Sequence, residues 1–273
     1  MRSRKFQLVG DHSELHCGCR AVVDVIRREL SSVMEESADD YELLVVNGEG
    51  SMHHDTGPFN RKMTAIKEAL VKDVEVWLIN TVWQHNRLDV TDTLKRVTHI
   101  SVRELHSRDD MLKSTGLIPL VFPDLALQAD IDGDAEFIDL RGRLVTTDFY
   151  SREFSSFVRI TDGKYAKVTF LNMKKLSWSS FVKSIGTARL LLTGRHHAVM
   201  AACKARTPFV AVAGNTHKIE GFLRTAKSSI PVCSTPREIS NVLKWAEVNK
   251  SAYEELFDWV AELPAWKPGL SII

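Results

Sequence analysis

The chain has 273 residues, enough for about two domains of ordinary size. Its 36 lysines and arginines offset 35 aspartates and glutamates, and the net charge of +1 argues against a nonspecific nucleic-acid binder. With 44% hydrophobic and 26% charged residues, and only 14 glycines and 8 prolines, the composition excludes collagen-like and low-complexity classes and supplies apolar material for its own cores.

In chain order, Phe6–Val9 reads as a weak strand, followed by a helix from about Arg20 to Glu36 with an apolar stripe of Val22, Val23, Val25, Ile26 and Leu30. The β-branched run Leu43–Val46 stops abruptly at Asn47-Gly48-Glu49-Gly50-Ser51. A helical stretch over about Asn60–Val71 and a strand over Val74–Ile79 follow, then helical Leu88–Val97, extended Ile100–Val102, helical Glu104–Ser114 and Leu120–Phe122 before Pro123. The acidic, Gly-bearing Asp130–Asp134 is the best linker; it loosely resembles a calcium loop but has no Glu twelve residues after Asp130.

Beyond that linker the alternation resumes. Strands are expected at Leu144–Thr147, Lys167–Leu171, Leu190–Thr193, Phe209–Ala213 and Pro231–Cys233. Helices are expected at Ser177–Ile185, Val199–Ala205, Ile219–Lys227, about Pro236 to Val248, and about Tyr253 to Leu263. Strands alternating with helices of this length imply right-handed βαβ units and parallel sheets. The fold class expected is α/β, with two Rossmann-like domains facing across a cleft. The boundaries expected are 1–129 and 135–250, with a C-terminal helix and tail, 251–273, packing back on the first domain.

Cys17, Cys19, Cys203 and Cys233 form no CxxC pair, and a CxC with two scattered thiols is not a zinc spacing. Cys203 and Cys233 sit in apolar contexts and read as buried thiols, and a reducing compartment fits. The basic N-terminal stretch lacks the apolar core of a signal peptide, and no apolar run approaches the ~20 residues of a membrane span. A cytoplasmic protein without an integral membrane segment is expected.

In open parallel sheets, ligands bind beyond the carboxyl ends of the strands. Three strand-end segments there carry chemistry. In the first, Gly48-Glu49-Gly50-Ser51-Met52-His53-His54-Asp55, the glycines would let backbone approach a ligand, although Gly-x-Gly alone is a weak signal. Metal binding by His53, His54 and Asp55 is the less favoured reading. In the second, Arg103 follows an apolar strand and offers a bidentate fork for carboxylate or phosphate, unless it pairs with Asp109 or Glu104. The third is the sharpest: the apolar strand Leu190–Thr193 delivers Gly194, Arg195, His196 and His197 to an expected helix start. After the next strand, Gly214, Asn215, Thr216, His217 and Lys218 repeat the arrangement. Helix amides with Arg, His and Lys make an anion site, and one of His196 and His197 is expected in the core.

These residues together resemble the polysaccharide pyruvyl transferase family. The segment Thr193-Gly194-Arg195-His196-His197-Ala198, then Pro208 and Lys218 with Gly221-Phe222, is similar to its Arg-Leu-His-Ala, Gly-x-Pro and Lys-x-x-Gly-Phe elements. Gly48-Glu49-Gly50-Ser51 resembles its Gly-Gly-Gly-Ser loop, and Val102-Arg103-Glu104 with Ser107 its Val-Arg-(Asp/Glu)-x-x-Ser element. Pro123-Asp124-Leu125-Ala126 resembles its Asp-Pro-(Ala/Ser) segment. The matches run in family order over about residues 16 to 223. The chain departs from the family where His16-Cys17-Gly18-Cys19 replaces Asn-x-Gly-Asp, where His196 takes a leucine position, and where Glu49 puts a carboxylate in place of glycine.

The resemblance implies a GT-B-like architecture and transfer of pyruvate from phosphoenolpyruvate onto two sugar hydroxyls, forming a ketal in a polysaccharide or its precursor. Expected catalytic residues are His197 as acid, Arg195 as stabiliser of the leaving phosphate, and Glu49. Expected donor contacts are Arg103, Arg195, Asn215, His217 and Lys218; expected acceptor contacts are Ser51, His53, Asp124 and Trp83. No cofactor and no metal are expected, the partners are phosphoenolpyruvate and a saccharide, and the oligomeric state stays open, a homo-oligomer included. Two alternatives stand beside this reading. One is a GT-B glycosyltransferase using a nucleotide sugar, with Glu220 gripping a ribose; the other is a non-catalytic saccharide-binding member.

Overall fold

The computed structural model describes residues 4–161 and 168–268. The chain divides into two units, each with its own parallel sheet. The first holds residues 4–11, 23–125 and 266–268, and the second residues 12–22 and 126–265.

In the first unit the strands are β1 (Lys5–Val9), β2 (Glu35–Glu36), β3 (Leu43–Glu49), β4 (Glu75–Thr81), β5 (His99–Val102) and β6 (Leu120–Val121), in spatial order β2-β1-β3-β4-β5-β6. All neighbours are parallel. Helix α1 (Cys17–Ser31) follows β1, and α2 (Gly57–Val71), α3 (Thr91–Leu94) and α4 (Leu105–Thr115) are the remaining α-helices of the half that ends at Leu125. Every residue of β3 is buried, the signature of a central parallel strand covered on both faces. Phe59, Met63, Ile66 and Leu70 of α2 pack with Leu44, Val46, Leu78 and Trp83 in one core.

The second unit carries β7 (Leu144–Thr146), β8 (Val168–Phe170), β9 (Leu190–Thr193), β10 (Phe209–Val212) and β11 (Val232–Cys233), in order β11-β10-β9-β7-β8, again all parallel. Its helices are α5 (Arg152–Thr161), α6 (Trp178–Gly186), α7 (His196–Ala205), α8 (Lys218–Thr225), α9 (Ile239–Val248) and α10 (Lys250–Ala261). Counted within each sheet, the first unit shows the order 2-1-3-4-5-6 and the second 2-1-3-4-5, each with the switch point between the first and third strands.

Several expected elements move. Helix α1 begins at Cys17 rather than Arg20, because His16 Nδ1 accepts a hydrogen bond from the Cys19 backbone N–H at 3.3 Å, as a capping residue does. It stops at Ser31, leaving Glu35 and Glu36 to pair with β1. The expected helix over Leu88–Val97 is a 3₁₀ turn followed by the single-turn α3, and α5 was not anticipated. Lys167, expected to open β8, lies outside the described residues.

The expected boundaries also change. The chain passes from one unit to the other at Leu125/Ala126, so the acidic Asp130–Asp134 segment lies inside the second unit. The last helix belongs to the second unit. Tyr253 of α10 donates its hydroxyl to the Phe209 carbonyl of β10, and Glu254 and Asp258 pair with Arg206 at the end of α7. The residues after it do return: Trp266 is buried in the first unit, and Lys267 pairs with Glu29 at 2.8 Å. No disulfide joins the four cysteines, which are all buried. No helix among the described residues is long and apolar enough to cross a membrane.

Candidate functional site

At the switch point of the second sheet, β7 runs out into Thr147-Asp148-Phe149-Tyr150 and β9 into Gly194-Arg195. Gly194 makes the turn because a Cβ there would stand 3.0 Å from Val212 Cγ2 and 3.2 Å from Phe149 Cδ1. Arg195 is the residue before α7, and its backbone N–H donates to Thr193 Oγ1 at 3.0 Å. Its guanidinium pairs with Asp148, and its central carbon lies 4.1 Å from the centre of the Tyr150 ring. Lys218, the first residue of α8, places Nζ 4.9 Å from the same ring and donates to Asn215 Oδ1 at 2.7 Å. Burial acts to lower the Arg195 pKa, but the Asp148 carboxylate and Tyr150 outweigh it and raise the value, so this group is a fixed cation. Two cations around one aromatic ring, at two helix N-termini, form an anion-attracting surface within this unit.

Both histidines after Arg195 are buried. Helix α7 starts at His196 instead of Val199, which places both imidazoles in its first turn and pointing to different sides. His196 lies edge-on to Phe222, ring centres 6.2 Å apart, while the His197 ring meets His16 at 5.2 Å. A Cβ on Gly18 would fall 2.4 Å from His197 Cβ, so the glycine at the start of α1 is what allows the two helix ends to approach. His217 is the half-buried residue directly before α8, and Asn215 is exposed.

The first unit places its expected residues differently. Arg103 and Asp124 are both buried and pair with each other, not with Asp109 or Glu104. Asp109 pairs with Arg108, and Glu104 caps α4, accepting from the backbone N–H groups of His106 at 2.6 Å and Ser107 at 3.0 Å. Asp124 is thus the partner of Arg103 and not an open acceptor contact. Trp83 is fully buried, lies edge-on to Phe59 and donates Nε1–H to Ser114 Oγ at 3.1 Å. It is a core residue with no face for a sugar.

In the glycine loop, Glu49 is buried at φ 42°, where a side chain is strained and glycine is not, and its Oε2 accepts from Asn47 Nδ2 at 3.3 Å. Gly48 has no room for a Cβ, which would lie 2.0 Å from Thr81 Oγ1. Ser51 Oγ donates to the Gly48 carbonyl at 2.9 Å, and His53 Nδ1 sits 3.0 Å from His54 Nδ1.

Sequence reasoning missed three kinds of group. Lys62 of α2 is buried beneath the loop, and its Nζ donates to the Asn47 carbonyl at 2.5 Å, the Gly48 carbonyl at 2.9 Å and Ser51 Oγ at 2.6 Å. On an amphipathic pattern a lysine reads as solvent-facing, so nothing local signalled it. Asp148 and Tyr150 follow an apolar strand, the signal that found Arg195, but no cation stands beside them in sequence. His16 and Cys19 are three apart at a helix start and meet His197 only in space.

A family model for polysaccharide pyruvyl transferase matches residues 12–216. The chain belongs to the polysaccharide pyruvyl transferase family. That match spans the glycine loop, the Arg103 element and the Arg195–His197 segment, and ends just before Lys218. No curated protein matches the sequence. Solved structures share the fold. A putative UDP-N-acetylglucosamine 2-epimerase from Listeria monocytogenes has a TM-score of 0.60 at 10% identity, over 94% of this chain and 91% of that one. S. aureus MnaA, in a co-structure with UDP, has a TM-score of 0.58 at 10% identity, over 94% and 91%. UDP-GlcNAc 2-epimerase from Neisseria meningitidis has 0.54 at 10% identity, over 92% and 93%. These likenesses place the polysaccharide pyruvyl transferase family member among GT-B proteins with two parallel-sheet α/β domains.

Proposed function

We propose that this chain transfers the pyruvyl group of phosphoenolpyruvate to two hydroxyls of a saccharide. The observation that carries the reading is the pair of cations Arg195 and Lys218 held around Tyr150 at the N-termini of α7 and α8, the first of them inside the family match and the second just beyond it. Phosphoenolpyruvate carries a carboxylate and a phosphate, and two adjacent cations supply one positively charged anchor for each group.

The chemistry balances as follows. A proton reaches the vinyl CH2 carbon and makes it methyl, one hydroxyl oxygen bonds to C2, and the second hydroxyl displaces inorganic phosphate to close the ketal. Of the two hydroxyl protons, one replaces that delivered to carbon and the other leaves with phosphate. Arg195 stabilises the departing phosphate, and His197 in the first turn of α7 is the candidate proton donor. Ser51 and His53 of the glycine loop are the candidates for acceptor contact.

The experiment is phosphate release from phosphoenolpyruvate in the presence of galactose- and mannose-containing acceptors. Arg195→Ala is expected to lower the rate by about 10²–10³-fold, the usual worth of one preorganised electrostatic contact. Full activity in both Arg195→Ala and His197→Ala would overturn the assignment.

One observation favours a nucleotide-sugar donor instead. Glu220 in the first turn of α8 has a buried Oε2 with no hydrogen-bond partner among the described residues, an acceptor suited to a ribose hydroxyl. Thermal shift separates the two, since the true donor stabilises the folded state: a rise with UDP and none with phosphoenolpyruvate favours the second reading.

A further inference from the structure

Three potential metal ligands converge within the second unit. His16 precedes α1, Cys19 lies in its first turn, and His197 lies in the first turn of α7. One ligand atom from each falls within 4.8 Å of the others. His16 Nε2 and Cys19 Sγ are already 3.3 Å apart. On a tetrahedron with ordinary zinc–nitrogen and zinc–sulfur bonds, ligand atoms stand about 3.3–3.6 Å apart. One pair is therefore at ligation distance, and closing the third needs a side-chain rotation of about 1 Å. Cys19 and His197 are buried, while His16 is half-buried and gives the access side.

We propose that His16, Cys19 and His197 bind a single zinc-class divalent cation. One thiolate with two imidazoles suits zinc among the common divalent ions, and three protein ligands leave a fourth position open. The candidate ligands do not show as cysteine pairs along the sequence, because two lie three residues apart and the third arrives from another helix. Gly18 is part of the device, because any side chain there would push His197 away. His16 and Cys19 stand at the positions where the family's Asn-x-Gly-Asp carries its asparagine and carboxylate, so the replacement exchanges one polar pair for a ligand pair.

Binding has a definite proton count. His16 Nδ1 accepts the Cys19 N–H, so the neutral ring carries its proton on Nε2. Ligation through Nε2 moves that proton to Nδ1, gives up the cap bond, and releases the Cys19 thiol proton to solvent. A ring nitrogen of His197 that holds a metal cannot also deliver a proton, so the loaded protein is expected to be inactive in pyruvyl transfer if the reading above holds. The site itself is independent of that reading.

The experiment is titration of the whole, chelator-treated chain with Co²⁺, read by absorption. The expected result is one cobalt per chain, with a thiolate charge-transfer band and the visible bands of tetrahedral geometry, both displaced by one equivalent of Zn²⁺. Cys19→Ser is expected to lose the charge-transfer band and His16→Gln to weaken binding at least tenfold, whereas Cys233→Ser leaves both unchanged. The half-buried His16 makes His16→Gln the variant to rely on if Cys19→Ser does not fold. Absence of the band in the folded wild-type chain, or its persistence at full affinity in His16→Gln or Cys19→Ser, overturns the site.

Discussion

At the residue scale, a buried lysine and a buried ion pair decide how the first unit's loops are held, and they make opposite demands. Lys62 carries an ammonium that bonds three oxygens of the glycine loop, so Lys62→Met removes three charge-assisted hydrogen bonds at once. The expected loss is about 2–4 kcal/mol in urea unfolding, with the β3–α2 loop becoming sensitive to protease. Arg103 and Asp124 face each other with almost no exposure. Removing the carboxylate strands the guanidinium, and Asp124→Ala should cost about 3–5 kcal/mol. Adding Arg103→Met should recover most of that loss, because the pair's joint desolvation is then avoided. A double-mutant cycle measures the difference, and additive losses would contradict the pairing.

The same contrast explains what could be read beforehand. Arg195 was legible because an apolar strand ends directly on it, leaving its place in a parallel sheet hardly ambiguous. Arg103 was equally visible, but its partner comes from a segment after β6, and no spacing rule connects them. Lys62 and the His16–Cys19–His197 group depend on tertiary approach alone.

At the element scale, helix ends fix the sites, and their caps are open to test. Glu104 binds two backbone N–H groups at the start of α4, directly after Arg103, so Glu104→Ala should cost about 1–2 kcal/mol. Hydrogen exchange of the His106 and Ser107 amides should rise with it. The start of α7 was misjudged because two histidines after an arginine look like a polar loop, whereas both are buried. Helix α5, Arg152–Thr161, is signalled by Ser151 directly before it, whose Oγ accepts the Phe154 backbone N–H at 3.4 Å as a cap does.

Acid sensitivity also belongs to elements. His99 on β5 has its pKa lowered by burial from its ordinary 6.5. Glu29 on α1 is lowered from 4.5 through its bond to Lys267, with burial opposing. Each folded-state pKa is depressed, so each group's contribution is present above its ordinary pKa and lost as pH falls through the folded value. The first unit should therefore weaken in two stages, first below about pH 6.5 and again below about pH 4.5. Melting temperature against pH should show both, with His99→Gln flattening the upper stage and Glu29→Gln the lower. A single slope that ignores both substitutions would refute the assignment.

At the scale of the whole molecule, alternating short apolar runs and amphipathic stretches were enough to indicate two parallel-sheet units. Strand order and unit membership were not available from that rhythm, because both depend on which strands become neighbours. Each sheet begins in the order 2-1-3-4-5, with a sixth strand added in the first unit, and so has a switch point, where the glycine loop in one unit and Arg195 in the other project. A small dianion that binds the second should raise the melting temperature, and the rise should vanish in Arg195→Ala.

Neither unit is a continuous stretch of chain. Residues 12–22 leave the first unit's sequence for the second, and Trp266 and Lys267 come back from the far end. The gene therefore cannot exchange one unit for a foreign one through a single recombination point. A crossover at Leu125 would leave each hybrid without a strip of its own core, and shuffling here would require four coordinated joints. Inheritance should accordingly keep the two units as one block, so that a change in the anion site meets the same partner unit in every descendant.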